Sequence, residues 1–222
     1  MGKYLRLKAA DKHEFTTYHA DPSGKPKGAL LVIQEIFGVN HHIRALCDKF
    51  AASGYLAVAP GLFDRVDVGV EYGYEPGDIE KGRAIMQKIN LDDAMRDVAA
   101  ALDYAKTGGK VGIVGYCWGG TVAWAAACRV PGLACAVSYY GGGVGNLVGE
   151  QPKCPVMFHF GDKDQSIPMD TVEKVKQAHP SQALYVYSAG HGFNCDERGS
   201  YDAESAKLAL GRSMEFFAKH VG

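Results

Sequence analysis

Short apolar runs alternate with longer segments in which apolar residues recur every three or four positions. The short runs predict β-strands, and the first two alternate apolar with polar residues, as an opening hairpin does. The predicted strands are residues 4–8, 14–19, 29–33, 55–59, 111–114, 133–140, 155–160 and 183–188.

The longer segments predict amphipathic or buried helices. The first is the clearest, because Asn40 can cap it and Ile43, Leu46 and Phe50 fall on one face before Gly54 stops it. Further helices are predicted at 78–89, 91–106, 121–128, from a cap at Asp170, and at 201–220. Residues 62–77 are irregular and rich in tyrosine and acid, which favours a pocket wall.

Strands that alternate with helices predict an α/β fold with a mostly parallel central sheet flanked by helices on both faces. In such sheets the functional site lies beyond the carboxyl ends of the strands. Glu35, Cys117, Asp164 and His191 all follow the end of a predicted strand. We therefore expect them at the same edge of the sheet.

Composition narrows the function classes. The 222 residues carry a formal net charge of −1, so no bulk field attracts nucleic acid or an anionic membrane. No run of 18 apolar residues predicts a membrane span. The six cysteines show neither C-x-x-C nor zinc-finger spacing, and no signal-peptide core is evident, so reduced thiols in a cytoplasm are expected. We expect one domain over residues 1–222, acting as a monomer without metal or cofactor.

The central motif is a cysteine between glycines. The apolar run at 111–114 leads into Gly115-Tyr116-Cys117-Trp118-Gly119, followed by an alanine-rich helix. A strand, a sharp turn holding a nucleophile, and a helix make the G-x-Nuc-x-G elbow of α/β-hydrolases. The turn brings the positions two before and two after the nucleophile together, so both must be small. A thiol there also faces the helix N-terminus, which favours thiolate.

Two other interpretations fit this stretch less well. A dinucleotide-binding loop would need G-x-G-x-x-G spacing and an acidic residue about 20 residues later, and both are missing. A buried structural cysteine is common, but it does not account for glycines on both sides of Cys117. The nucleophile is therefore the favoured interpretation.

A nucleophile of this kind needs a base, and the base needs an acid that orients it. The α/β-hydrolase order along the chain is nucleophile, acid, base. Cys117, Asp164 and His191 follow that order, with His191 in a glycine-flanked loop after the last strand. Asp162 competes with Asp164 for the role of the acid.

Several motifs together resemble the dienelactone hydrolase family (carboxymethylenebutenolidases) over nearly the whole chain. They are QEIFGVN at 34–40, GYCWGG at 115–120, YYG at 139–141, GDKD at 161–164 with Pro168, and GHGF at 190–193. The first two together are specific, whereas the aspartate and histidine motifs occur in many hydrolases.

The resemblance implies a role for each matching residue. The triad would be Cys117, His191 and Asp164, the second aspartate of GDKD. The backbone N–H groups of Ile36 and Trp118 would form the oxyanion hole. Glu35 matches the family glutamate that interacts with the resting thiol. Phe37 and Tyr139, within the matching motifs, are expected to contact substrate.

One departure concerns substrate binding. Well-known family members have an arginine four residues after the histidine, where this chain has Cys195. Arg198, three residues further, and Arg83, on the predicted 78–89 helix, are the candidates to bind a substrate carboxylate.

The sequence thus predicts a cysteine hydrolase that cleaves a small-molecule enol lactone or ester through an acyl-enzyme. The nearest alternative is another esterase or thioesterase on the same scaffold. A non-catalytic thiol redox sensor is a third interpretation, but a sensor would have no need of Asp164 and His191 in triad order.

Overall fold

A computed structural model describes residues 2–222. An eight-stranded sheet forms the centre, in the order β1-β2-β4-β3-β5-β6-β7-β8. β1 pairs antiparallel with β2, and β2 with β4, while every other pairing is parallel. The strands are β1 (Lys3–Lys8), β2 (Glu14–Ala20), β3 (Ala29–Ile33), β4 (Leu56–Pro60), β5 (Val111–Tyr116), β6 (Leu133–Tyr139), β7 (Val156–Gly161) and β8 (Ala183–Tyr187).

Six α-helices accompany the sheet in the described part of the chain. They are α1 (His41–Ala52), α2 (Pro76–Met86), α3 (Leu91–Ala105), α4 (Trp118–Arg129), α5 (Met169–Ala178) and α6 (Ala203–His220). α1 and α6 cover one face, where Phe50 and Phe217 meet with ring centroids 6.0 Å apart. α3 and α4 pack together on the other face. The predicted α/β-hydrolase fold, a mostly parallel sheet with helices on both faces, is confirmed.

β5 shows how sequence and packing agree at the centre of the sheet. All six of its residues are buried, as the apolar run predicted. Strand alternation directs Gly112 and Tyr116 toward the α1/α6 face, where Gly112 lies against Val221 and Tyr116 against His42. Gly115 instead faces α4.

Most predicted elements are confirmed to within a few residues, and the largest shifts are at helix ends. Asn40 caps α1, since its Oδ1 accepts the Ile43 N–H at 3.3 Å. α2 begins at Pro76 rather than residue 78, because proline suits the first turn of a helix. The cap predicted at Asp170 is wrong: Pro168 holds the cap position of α5 and Asp170 lies in the first turn. α6 begins at Ala203, where Asp202 Oδ1 accepts the Ser205 N–H.

Candidate active site

The turn between β5 and α4 holds Cys117 in a strained backbone conformation. Its φ of 55° and ψ of −119° lie in the positive-φ half of backbone space, which residues other than glycine rarely adopt. A Cβ on Gly115 would lie 1.8 Å from the carbonyl oxygen of Gly119, and a Cβ on Gly119 would lie 2.4 Å from that of Gln34. Only glycine fits these two positions, and the half-buried thiol is presented at the start of α4.

A hydrogen-bonded chain connects Asp164, His191 and Cys117. His191 Nδ1 lies 2.7 Å from Asp164 Oδ2, and His191 Nε2 lies 3.1 Å from Cys117 Sγ. The Asp164 side chain is fully buried, and its Oδ1 accepts the backbone N–H groups of Ser166 and Ile167. These bonds fix the carboxylate so that its other oxygen faces the imidazole.

The charge state of His191 follows from its neighbours. Burial alone would lower the pKa of His191, but the negative charge on Cys117 and the Asp164 carboxylate outweigh it and raise the pKa to about 10. A protonated imidazole between a carboxylate and a thiolate is the arrangement that activates a cysteine at neutral pH.

Only one of the two aspartates in the loop after β7 reaches His191. Asp164 is buried against the imidazole, whereas Asp162 is exposed and its backbone N–H bonds to Tyr187 O. The structure thus brings Asp164 into the constellation and leaves Asp162 at the surface.

The two predicted oxyanion donors, Ile36 and Trp118, lie in the same pocket as the thiol. Ile36 follows β3 and Trp118 opens α4, and both residues line the pocket that contains Cys117. Within residues 2–222, neither N–H donates a hydrogen bond to a backbone or side-chain acceptor. Two free donors next to a nucleophile could stabilise a developing oxyanion.

Glu35 is bound to Arg198 rather than to the thiol. Its side chain is 1% exposed, and Oε1 accepts a hydrogen bond from Arg198 Nη1 at 3.0 Å. Oε2 is buried and has no partner within residues 2–222. The guanidinium lies 5.7 Å from the Phe37 ring and 5.9 Å from the Tyr74 ring. No hydrogen bond joins Glu35 to Cys117 in the described chain, so control of the nucleophile by Glu35 stays a prediction.

The thiol opens into a pocket of about 450 Å³. Its walls are mostly apolar, and its charged groups are His191, Arg198 and Arg83. The apolar lining comes from Ile36, Phe37, Ile79, Met86, Trp118 and Ile167. Arg83 is exposed on α2 and makes no ion pair with any residue of 2–222, whereas Arg198 is already paired with Glu35.

Comparison with known proteins identifies the family. The family model described as the dienelactone hydrolase family matches residues 15–221. The chain belongs to the dienelactone hydrolase family. It is therefore a carboxylic ester hydrolase, as the resemblance implied.

Relatives extend over most of the chain. A protein of Azospirillum brasilense named "Putative carboxymethylenebutenolidase" is 35% identical over 235 residues, 98% of this chain and 99% of that protein. One of the same name from Escherichia coli K12 is 35% identical over 230 residues, 92% of this chain and 82% of the relative. The crystal structure of a "Putative Dienelactone Hydrolase" from Klebsiella pneumoniae superposes with a TM-score of 0.83 at 33% identity, covering 98% and 99% of the two chains.

One predicted substrate contact of this dienelactone hydrolase family member is wrong. Tyr139 is 1% exposed and does not line the pocket; its hydroxyl lies 2.8 Å from Ser213 Oγ on α6. The reason is strand alternation. Tyr139 pairs in register with Tyr116, and both side chains point to the α1/α6 face of the sheet.

Two tyrosines near the site were not singled out for it. Tyr74, in the irregular 62–77 segment, packs on Phe37 with ring centroids 4.7 Å apart and forms the wall behind Arg198. Tyr140 is fully buried with φ 38°, and its ring centroid lies 5.2 Å from that of His191. The signal for Tyr140 in the sequence was its place in the YYG motif, at the end of a predicted strand.

A cluster of possible metal ligands lies on α1 and the loop before α6, outside the pocket. Ligand atoms of His42, Asp196 and Glu197 lie within 4.8 Å of one another. His42 Nδ1 faces Asp196, and its Nε2 is buried without a partner in residues 2–222. A metal on Nδ1 would force an unpaired buried proton onto Nε2, whereas metal-bound histidines donate that proton to an acceptor. The geometry favours His–carboxylate pairs here.

No helix in residues 2–222 combines the length and apolar character that crossing a bilayer requires.

Proposed function

We propose that the protein hydrolyses an enol lactone or a related small ester through a thioester on Cys117. The observation that carries the proposal is the continuous chain from Asp164 through His191 to the Cys117 thiol, with contacts of 2.7 Å and 3.1 Å. The curated relatives named "Putative carboxymethylenebutenolidase" support an enol lactone as the substrate class.

The first half of the reaction forms the acyl-enzyme. The Cys117 thiolate attacks the carbonyl carbon, and the new oxyanion accepts hydrogen bonds from the backbone N–H groups of Ile36 and Trp118. Collapse of this adduct breaks the C–O bond of the ester, and the protonated His191 gives its proton to the departing oxygen. In a lactone the leaving group stays attached to the acyl chain.

The second half releases the acid. Neutral His191 takes a proton from water, whose oxygen attacks the thioester carbon. The C–S bond then breaks, so the products are the carboxylic acid, the Cys117 thiolate and the protonated imidazole. Asp164 stabilises the imidazolium at both stages.

Arg83 is the proposed recognition group for a carboxylate on the substrate. It is the pocket arginine without a counter-ion in residues 2–222, whereas Arg198 is neutralised by the buried Glu35. A substrate carboxylate would accept two hydrogen bonds from the Arg83 guanidinium, and the apolar part of the substrate would lie against Ile79 and Met86.

We also propose that the enzyme acts as a cytoplasmic monomer. Every group in the proposed mechanism comes from one chain, and all six cysteines are free thiols. Light scattering of the purified protein tests the first statement, and a stable dimer would contradict it.

Replacing the nucleophile tests the proposed function. Cys117→Ala should lower turnover of dienelactone and of p-nitrophenyl acetate by on the order of 10³-fold or more. Cys154→Ala, a half-buried cysteine that does not line the pocket, is the matched control and should leave turnover unchanged. Near wild-type rates in Cys117→Ala would overturn the mechanism, and preference for simple esters over dienelactone would overturn the substrate class.

A further inference from the structure

A chain of hydrogen bonds on the α6 face of the sheet, buried except at its Arg212 end, has no part in the chemistry described so far. Arg212 Nη1 lies 3.0 Å from the Tyr187 hydroxyl, which lies 2.8 Å from His159 Nδ1. His159 Nε2 lies 3.0 Å from Ser213 Oγ, and Ser213 Oγ lies 2.8 Å from the Tyr139 hydroxyl. This buried chain joins α6 to β6, β7 and β8.

Arg212, at the outer end of the buried chain, determines which group donates each hydrogen bond along it. The guanidinium of Arg212 can only donate, so the Tyr187 oxygen accepts and its own proton goes to His159 Nδ1. His159 therefore carries its proton on Nε2 and donates it to Ser213. Burial, together with the positive charge of Arg212, lowers the pKa of His159 to about 3, so the imidazole stays neutral and this single tautomer persists.

The inner end of the buried chain coincides with the support of the nucleophile. The carbonyl oxygen of Tyr139 accepts the backbone N–H of Cys117 at 3.1 Å. The same oxygen lies so close to α4 that a Cβ on Gly120 would be 2.5 Å from it. A shift of Tyr139 would therefore move the elbow directly.

The next residue supports the imidazole. The Tyr140 N–H donates to the carbonyl oxygen of His159 at 2.7 Å, and Tyr140 itself has a positive φ of 38°. Its ring lies against His191 and against Phe193, with centroids 5.2 Å and 5.3 Å away. A strained residue of this kind keeps its conformation only when its surroundings hold it firmly.

We propose that Ser213, His159 and Tyr139, through its hydroxyl, are positioning residues that together hold the Tyr139–Tyr140 peptide. Through this peptide they hold the Cys117 amide and the face of the Tyr140 ring that supports His191. The inference rests on the proposed roles of Cys117 and His191. It assigns a role in the reaction to a helix that contributes no side chain to the pocket.

Removing single hydroxyl groups tests the inference. Tyr139→Phe and Ser213→Ala should each lower kcat by about tenfold, because small displacements of reacting groups are costly, while KM stays within about twofold. The rate of Cys117 alkylation by iodoacetamide at pH 6 should fall in both variants, since His191 is held less well against the sulfur. The double variant should be no slower than Ser213→Ala, because both changes break the same hydrogen bond.

Ser205→Ala is the matched control, since Ser205 is buried near the start of the same helix and bonds with Asp202, outside the buried chain. It should keep wild-type kcat and alkylation even if its melting temperature falls. If the buried chain had a purely structural role, Tyr139→Phe and Ser213→Ala would lower the melting temperature but leave kcat and the alkylation rate at 25 °C unchanged. This result would overturn the inference.

The two proposals fail in different ways. If Cys117→Ala retains turnover, the proposed function is wrong. If Cys117→Ala is inactive while folded Tyr139→Phe and Ser213→Ala retain wild-type kcat, only the positioning inference is wrong.

Discussion

Asp162 and Asp164 are two residues apart on one loop, yet their surroundings differ completely. Asp164 is buried, accepts two backbone N–H groups with one oxygen and faces His191 with the other. Asp162 is exposed. At the scale of single residues, burial and hydrogen bonding thus separate a candidate triad acid from a surface carboxylate.

The two aspartates offer a paired test. Asp164→Asn should lower kcat by about 10³-fold to 10⁴-fold, because an amide neither stabilises the imidazolium nor selects the right tautomer. Asp162→Asn should change kcat by less than about twofold. Steady-state kinetics on p-nitrophenyl acetate measures both, and a larger loss in Asp162→Asn would show that the acid is assigned wrongly.

Glu35 poses a different question at the same scale. Its carboxylate neutralises Arg198, and the guanidinium also interacts electrostatically with Cys117. Glu35→Gln would keep the shape and remove the negative charge, so the positive field of Arg198 at the thiol would grow.

We expect Glu35→Gln to alkylate faster than wild type with iodoacetamide at neutral pH and to turn over substrate more slowly. The measurement is the second-order alkylation rate of the substrate-free enzyme. Glu71→Gln, at an exposed carboxylate that pairs with the partly buried Arg44, is a control that should match wild type. Equal rates for wild type and Glu35→Gln would mean that Glu35 does not control the nucleophile.

Helix α2 matters at the scale of elements because it brings a cation to a pocket built from strand ends. A Cβ on its Gly82 would lie 1.9 Å from the carbonyl oxygen of Ile36, so this helix packs directly on the proposed oxyanion segment. Ile79, Arg83 and Met86 then face the pocket at helical spacing.

Arg83→Gln should raise KM for an anionic lactone by about tenfold and leave KM for a neutral ester within about twofold, because only the anion loses its charge-assisted hydrogen bonds. Lys81→Gln, on the same helix but paired with Asp78 and outside the pocket lining, is the control. Equal effects of Arg83→Gln on both substrates would exclude a carboxylate-binding role.

The stability of the whole molecule should depend on His159 in acid. The unfolded chain binds a proton at this residue below its ordinary pKa of 6.5, whereas the folded chain does so only near pH 3. The free energy of unfolding should therefore decrease as pH falls from 6.5 toward 3. Above pH 6.5, His159 should add no pH dependence.

Urea unfolding at pH 7 and pH 5 measures this dependence. Wild type should lose up to about 2 kcal/mol more than His159→Gln over this interval, because glutamine does not titrate. Burial also lowers the pKa of His220, a partly exposed histidine near the end of α6, so His220→Gln should change the dependence less than His159→Gln does. Identical slopes for wild type and His159→Gln would show that His159 titrates normally in the folded protein.

The sequence by itself determined the features governed by neighbours along the chain. Alternation and helical periodicity located the strands and helices, and the glycines around Cys117 required the sharp turn that the structure shows. Cys117, Asp164 and His191 each follow a predicted strand, which was sufficient to predict that they share one edge of the sheet, because parallel strands end together.

Tertiary structure alone decided how distant side chains meet. Glu35 and Arg198 are 163 positions apart, and their pairing depends on how the loop before α6 packs over β3. The face to which Tyr139 points depends on its register with Tyr116, which no local pattern records. Local rules act through steric and hydrogen-bonding effects within a few residues. Contacts across the sheet and its helices form only when the whole core packs, so they could not be read from the order of residues.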